Sequence, residues 1–366
     1  MTTLCRLNTC RDAKRGMRKV RVEKRWIRQR HIGHGAFGEV WLEVYREQEQ
    51  VVAERAVKGI QKRRMENLNI DYKRELLALA KLSRHQDLFV SLHGWYEDDD
   101  SVFLAMEYLQ HGDLGNFING GITENGARMI CAQLLDGLST MHSLGFTHRD
   151  LKPQVYLVLV PKCDGSITFL TVPNQNIFVV SAAPWWIKIG DFGTSKRIAS
   201  EQTALRTQAG TRQFQAPEIL GYVEEAEETS EYTNLVDIWS LGCVTHLILA
   251  DTAPFANARA LIDYSSGRIE FPYEALQDGG ISVDGRHFVV ALLNPRPSKR
   301  PTAQIALQHI WLQASPSTQA PQPKKSSKIK STSAISPSKS QQEQLIKAPR
   351  NPEGPLAYRK PDNYFQ

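Results

Sequence analysis

The sequence predicts an α+β chain with segregated elements: five strands, read as antiparallel, and one helix within residues 26–109, then a mainly helical stretch over 110–312. Three observations carry this. Trp26 to Arg30 and Glu39 to Arg46 alternate apolar and polar residues on either side of a glycine-rich turn, the pattern of a hairpin. Apolar residues recur at three and four from Thr123 onward, the helical period. Between these stretches Gly112 interrupts the strand pattern.

In chain order, the hairpin is followed by a third strand at Val51 to Val57, ending on Lys58. From Asn67 to Leu82 the spacing of Ile70, Leu76, Leu79 and Leu82 is helical, with Glu75 beside that face. Val90 to Trp95 and Val102 to Tyr108 read as two further strands. Thr123 is placed to cap a helix whose apolar face is Ala127, Ile130, Leu134, Leu138 and Met141, and that helix runs into His148-Arg149-Asp150. Ile177 to Val180 and Trp186 to Ile189 are short strands around a turn containing Pro184, and the remainder to Leu312 is patterned as helix. Beyond it, residues 313–366 are rich in Ser, Pro, Gln and Lys and too poor in aliphatic side chains to offset chain entropy, so they read as a disordered tail.

The net charge of +6 is unevenly spread. Residues 1–31 carry +9 and 313–366 carry +6, which leaves the central stretch at −9. Residues 1–25 read as a flexible basic arm; the plain reading of both arms is solvated chain, with a membrane, nucleic-acid or import-receptor contact as the rival. No sequence-specific nucleic-acid partner follows from this charge. The five cysteines show no metal-ligand spacing and no disulfide pattern, and no apolar run is long enough to span a membrane. These features read as a soluble protein of a reducing compartment, cytoplasmic, nuclear or both.

Several motifs carry chemistry. Gly33-x-Gly35-x-x-Gly38-x-Val40 lies between two strands, which suits a tight structural turn and equally a loop whose backbone N–H groups close over phosphates with no side chain in the way. Ala56-Val57-Lys58 puts an ammonium at a strand end, and Glu75 on the next helix is positioned to orient it. Asp191-Phe192-Gly193 offers a carboxylate for Mg²⁺, which prefers hard oxygen ligands and often takes one or two protein carboxylates beside phosphate oxygens. Ala216-Pro217-Glu218 follows.

In this order and spacing, the chain resembles the eukaryotic protein kinase superfamily, serine/threonine type, over roughly Trp26 to Leu312. The resemblance implies a bilobal fold with ATP and Mg²⁺ between the lobes. It makes Asp150 the catalytic base, Lys152 a γ-phosphate contact and Lys58 the α/β-phosphate contact held by Glu75. It also implies Met106 as gatekeeper, Glu107 and Leu109 as hinge residues binding adenine, Asp113 as the ribose contact, Phe178 in the adenine floor, and Asp191 and Asn176 as metal ligands. Asp237 is similar to the aspartate that braces the catalytic loop, and Arg300 to the partner of Glu218. Lys152 and Thr211, in Gly210-Thr211-x-x-Phe214, resemble the serine/threonine branch, although Phe214 stands where tyrosine is more usual. The implied partners are a protein substrate with a Ser/Thr acceptor and an upstream kinase acting on Thr207, with Ser200 and Thr203 as rival sites.

One departure stands out. The template needs Asn five residues after Asp150, but Val155 is there and the fitting Asn is Asn176. Removing 155–175 restores an unbroken loop and strand, so those 21 residues read as an insertion. The competing alignment makes Tyr156 to Val160 the strand and leaves Asn176 to Val180 without a partner. Twenty-one codons are 63 nucleotides, and Val155-Tyr156 permits GTATAT, Leu170-Thr171 CTAAC and Gln175 a terminal CAG. The segment therefore also reads as a retained intron of the short fungal kind. As translated, it places an uncharged apolar strand former beside the substrate site, which makes an ATP-binding pseudokinase or scaffold the alternative to an active kinase.

Overall fold

A computed structural model describes residues 2–11, 18–35, 38–63, 72–118, 121–149, 151, 158–161, 167–170, 176–192, 196–197, 214–223 and 230–313. The first lobe is built on a six-stranded antiparallel sheet. Its strands are β1 (Thr2–Arg11), β2 (Arg18–Gly35), β3 (Gly38–Glu47), β4 (Gln50–Gln61), β5 (Leu92–Glu97) and β6 (Ser101–Met106), in the order β1-β2-β3-β4-β6-β5. Five of these are the expected strands. The sixth, β1, lies within the basic residues 1–25, where Thr2–Arg11 pairs with residues 18–27 of β2. Charge counting missed a ladder that satisfies backbone groups whatever the side-chain charge, between segments containing β-branched Thr2, Thr3, Val20 and Val22.

Helix α1 (Tyr72–Leu82) lays Leu76, Leu79 and Leu82 into the core that also holds Ile60, Leu92 and Leu104 of the sheet. Residues 67–71 of the expected helix lie outside the described residues. The strand expected at Val90 starts two residues later, because Val90 is engaged by the second lobe: its N–H donates to the Ile189 carbonyl, and Ile189 N–H to that of Leu88. The strand expected to reach Tyr108 stops at Met106, where the Glu107 N–H donates to the Ser91 carbonyl.

The second lobe opens with a 3₁₀ turn (Leu114–Phe117) and α2 (Glu124–Ser143), whose Thr123 hydroxyl accepts from Gly126 N–H at 3.1 Å as the capping signal implied. Ala127, Ile130, Leu134, Leu138 and Met141 form its buried stripe. After it come β7 (Phe146–Thr147), β8 (Val158–Pro161), β9 (Ile167–Leu170), β10 (Ile177–Ala182), β11 (Trp185–Ile189) and β12 (Lys196–Arg197). Next is α3 (Ser230–Ala250), whose residues 235–249 are all buried; it is the central core helix, and none of the described helices is long and apolar enough to cross a membrane. Helices α4 (Ala258–Ser265), α5 (Glu274–Asp278), α6 (Val283–Leu292), α7 (Ala303–Ala306) and α8 (Ile310–Gln313) complete the lobe.

Strands β8 to β11 form two separate pairings. Strands β8 and β9 pair with each other in a separate two-stranded sheet, while β10 pairs with β11 from Ile177↔Ile189 onward. The stretch that the competing alignment leaves stranded is thus the one integrated into the lobe.

Candidate active site

Strand β4 sets the first component. Its register puts Lys58 opposite Val40 on one side and Leu104 on the other, and Ala56 opposite Leu42 and Met106. Alternation then places Val40, Leu42, Ala56, Lys58, Leu104 and Met106 on one face of the sheet. The Lys58 side chain is buried, and its Nζ donates to Asp191 Oδ1 at 2.7 Å, an ion pair joining the two lobes. Asp191 keeps 25% of its side chain exposed, so its carboxylate is held and still reachable. Its φ of +54° is unusual for a non-glycine residue and costs about 1–3 kcal/mol, strain of the kind found where backbone geometry is functional.

The loop at His148-Arg149 is held at two points. Asp237 on α3 is fully buried; its carboxylate accepts from His148 N–H (2.9 Å), Arg149 N–H (2.8 Å) and His142 Nε2 (2.8 Å). Burial alone would push this carboxyl up, but the His142 hydrogen bond and the neighbouring His142 and His148 rings hold it below the ordinary range. On the other side His148 Nε2 lies 3.1 Å from the Gly190 carbonyl, one residue before Asp191. Arg149, like Asp191, has a positive φ, +67°. Asp150 and Lys152 fall outside the described residues; Leu151 between them is buried in the core.

Asn176 is buried, and its carbonyl accepts from Gly190 N–H at 2.9 Å. The hydrogen-bond register thereby returns it to the Asp191 turn despite the 21 intervening residues. A Cβ on Gly190 would crowd Phe178 and Val90, each at 2.8 Å, so only glycine lets those side chains close on the turn. Phe192 packs against Phe89 (centroids 5.8 Å apart) and His148 (5.7 Å), which fixes the peptide beyond Asp191.

The segment linking the lobes holds three of the expected site residues and leads into a fourth, Asp113. Met106 is half-buried against the core, and the Leu109 carbonyl accepts from Gly112 N–H, turning the chain. Among the described residues nothing accepts from the Leu109 N–H. Asp113, the expected ribose contact, is fully buried; its Oδ1 accepts from Gly115 N–H at 2.6 Å and caps the 3₁₀ turn. Through Oδ1 the short Asp side chain reaches its own backbone. Burial pushes its pKa up to about 8, against the lowering effect of nearby backbone N–H groups. The folded state therefore holds an extra proton between about pH 4 and 8, and stability is expected to fall as pH rises through that window. Asp113→Asn should flatten the decline, as read from urea midpoints at several pH values.

Two pairs that sequence reasoning did not find support this region. Lys188 Nζ on β11 donates to both Glu107 carboxylate oxygens, at 2.7 and 2.8 Å, tying the linker to the second lobe. A lysine alternating within a strand carries no signal of burial, yet this one is buried. His142 as a second donor to Asp237 was likewise unmarked, because it reads as an ordinary residue of the last turn of α2.

Of the remaining candidates, Gly33, Gly35 and Gly38 lie at the facing ends of β2 and β3, with Gly33 paired to Val40 and Gly35 to Gly38. A Cβ on Gly38 would overlap the Gly59 carbonyl oxygen, so the close approach of β3 to β4 requires glycine there. Glu75 is on α1, but its side chain falls outside the described residues. A family model for the protein kinase domain matches residues 26–312. The chain belongs to the protein kinase family.

Among its kinase relatives, "Serine/threonine-protein kinase RAD53" of Saccharomyces cerevisiae is 33% identical over 294 residues, covering 78% of this chain and 32% of that protein. "Serine/threonine-protein kinase cds1" of Schizosaccharomyces pombe is 34% identical over 245 residues, covering 66% of this chain and 47% of the relative. The chain thus spans from about a third to about half of these two relatives. A solved kinase structure, that of Rad53 1-466 in complex with AMP-PNP, superposes with a TM-score of 0.59 at 32% identity, covering 78% of this chain and 64% of that one. The kinase fold also accounts for Arg300, whose guanidinium binds Glu218 through two parallel bonds (2.6 and 2.7 Å) in a fully buried pair, as the resemblance implied.

Proposed function

We propose that this kinase domain is a Mg²⁺- and ATP-dependent protein serine/threonine kinase, transferring the γ-phosphate of ATP to Ser or Thr hydroxyls of a protein substrate. The observation that carries the reading is the buried Lys58 ion-paired across the lobes to the partly exposed Asp191, beside a loop fixed by Asp237. Lys58 binds the α/β-phosphates in this reading, and the Leu109 N–H and Glu107 backbone take the adenine. Asp150 orients the substrate hydroxyl and accepts its proton, and Lys152 steadies the γ-phosphate. The Asp191 carboxylate and the Asn176 amide are hard oxygen donors, a set that suits Mg²⁺ completed by phosphate oxygens. When bound, that ion supplies charge neutralisation on the transferring phosphoryl group. No group of three or more His, Cys, Asp or Glu among the described residues forms a closed metal cage.

The test is transfer from γ-labelled ATP to Ser/Thr, as against Tyr, peptides; transfer to tyrosine alone would refute the substrate class. The regulation we propose is phosphorylation of Thr207 by an upstream kinase, pairing the new phosphate with Arg149. Thr207→Ala is then expected to remove activation by that kinase, read as the peptide rate before and after treatment. An unchanged rate in the fully activated variant would contradict it. The reading places the protein in the cytoplasm or nucleus, in keeping with the free thiols of Cys131 and Cys243.

A further inference from the structure

Asn176 is reached through the insertion from one side and held by strand pairing on the other. It lies 26 residues after Asp150, where the kinase template has five. The effective concentration of a loop's far end falls roughly as the −3/2 power of loop length, so this lengthening weakens the upstream hold by about tenfold. Downstream, Ile177 pairs with Ile189, and the Asn176 carbonyl accepts from Gly190 N–H at 2.9 Å. The position of Asn176 therefore depends on how the β10–β11 hairpin is docked.

Each strand of that hairpin has its own anchor. On β11, the Gln133 amide of α2 donates to the Trp185 carbonyl (2.9 Å) and accepts from Ile187 N–H (3.0 Å). On β10, Val179 N–H donates to the Gly112 carbonyl at 2.8 Å, and Phe178 forms an isolated antiparallel bridge with Asp113. The Asp113 side chain fixes this second anchor. It is fully buried, and its Oδ1 accepts from Gly115 N–H at 2.6 Å, capping the 3₁₀ turn whose Leu114 is buried in the core. Burial raises its pKa and the N–H groups of Gly115, Ile177 and Leu114 oppose that rise, so Ile177 N–H faces this carboxyl. That N–H belongs to the peptide joining Ile177 to Asn176.

We propose that Asp113 is a positioning residue that holds Asn176 at the Asp191 turn across the insertion, on the reading that Asn176 binds the metal. Its carboxyl acts on the Asn176–Ile177 peptide directly, and through the capped turn that carries the bridge to β10. In a chain lacking residues 155–175, Asn176 follows Asp150 by five residues, and the short connection does the same work. Asp113 is then largely redundant. Asp113→Ala removes the acceptor offered to Gly115 and Ile177 N–H, whereas Asp113→Asn keeps an oxygen of the same reach. A ribose contact would behave otherwise: its loss would fall on KM for ATP and would be the same with or without the insertion.

Amide hydrogen exchange and steady-state rates are measured on the full chain and on the chain lacking residues 155–175, each as the parent, Asp113→Ala and Asp113→Asn. In the full chain, Asp113→Ala is expected to speed exchange of the Gly190 amide, which donates to the Asn176 carbonyl, by about tenfold; in the deleted chain the change should stay below about threefold. In the full chain kcat should fall by about ten- to a hundredfold and the half-saturating Mg²⁺ concentration should rise, with KM for ATP little changed. Asp113→Asn should follow the parent in both forms. Equal acceleration of Gly190 exchange in both forms, global unfolding included, would make Asp113 a general structural residue and overturn the inference. So would unaltered exchange in the full chain, or a loss confined to KM for ATP. If no form transfers phosphate, the kinase reading fails, and Gly190 exchange still decides whether Asp113 holds Asn176.

Discussion

Lys58→Met is expected to lower kcat for peptide phosphorylation by about 10²–10³, the range seen when one preorganised charge-stabilising donor is removed from an active site. Lys58 is buried on the same sheet face as Val40, Ala56 and Met106, and its ammonium meets Asp191 at 2.7 Å. In the proposed reaction it stabilises phosphate charge in a water-poor site, where a cation acts more strongly than at the surface. Methionine keeps an unbranched stem of similar length, so packing along β4 is preserved. Asp191 loses this ion partner but retains 25% exposure, so water takes up part of the deficit. The variant should therefore stay folded by circular dichroism while kcat falls and KM for ATP rises. An unchanged kcat would remove Lys58 from the chemistry.

Arg300→Met should be the most destabilising single change in the second lobe, at about 3–5 kcal/mol, because it strands the buried Glu218 carboxylate. Arg300 also donates from Nε to the Asn294 carbonyl (2.7 Å) and from its terminal nitrogens to those of Leu235 and Pro295, and it lies 5.0 Å from the centre of the Trp239 ring. One side chain thereby joins the Ala216-Pro217-Glu218 segment, α3 and the loop before α7. The Arg259–Asp263 pair on α4 is the control; Arg259 is mostly exposed and Asp263 keeps Arg268 as a partner at 2.8 Å, so Arg259→Met should leave the urea midpoint unmoved. Equal effects from the two substitutions would mean that burial does not set the strength of the Arg300 pair.

The parts of the site legible in the sequence are those specified by local order. The glycine spacing, Asp191 after a strand and the Thr123 cap each need only a few residues at fixed offsets, and the fold realises them, whereas the strand expected to end on Lys58 runs on to Gln61. Asp237 and Arg300 were also legible, since short motifs surround both. What escaped depends on partners distant in sequence. The burial of Asp113 depends in part on the bridge to Phe178, far along the chain, besides the Gly115 N–H two residues away. The burial of Lys188 went unmarked because Glu107 lies 81 residues away. The N-terminal ribbon was hidden by charge, since backbone pairing leaves little trace in composition.

The insertion bears most directly on the central claim, that Asn176 completes the catalytic loop of an ATP-dependent serine/threonine kinase. The decisive measurement is ATP binding and peptide phosphorylation by the full chain, by the chain lacking residues 155–175, and by each with Asp150→Asn. Both forms should bind ATP, since Lys58, Asp191 and the linker are common to them. The deleted form should phosphorylate Ser/Thr peptides at least as fast as the full chain, and Asp150→Asn should abolish transfer in both. Loss of nucleotide binding or of transfer on deletion would show that the inserted hairpin, rather than the Asn176–Gly190 junction, builds the site, and would contradict the account.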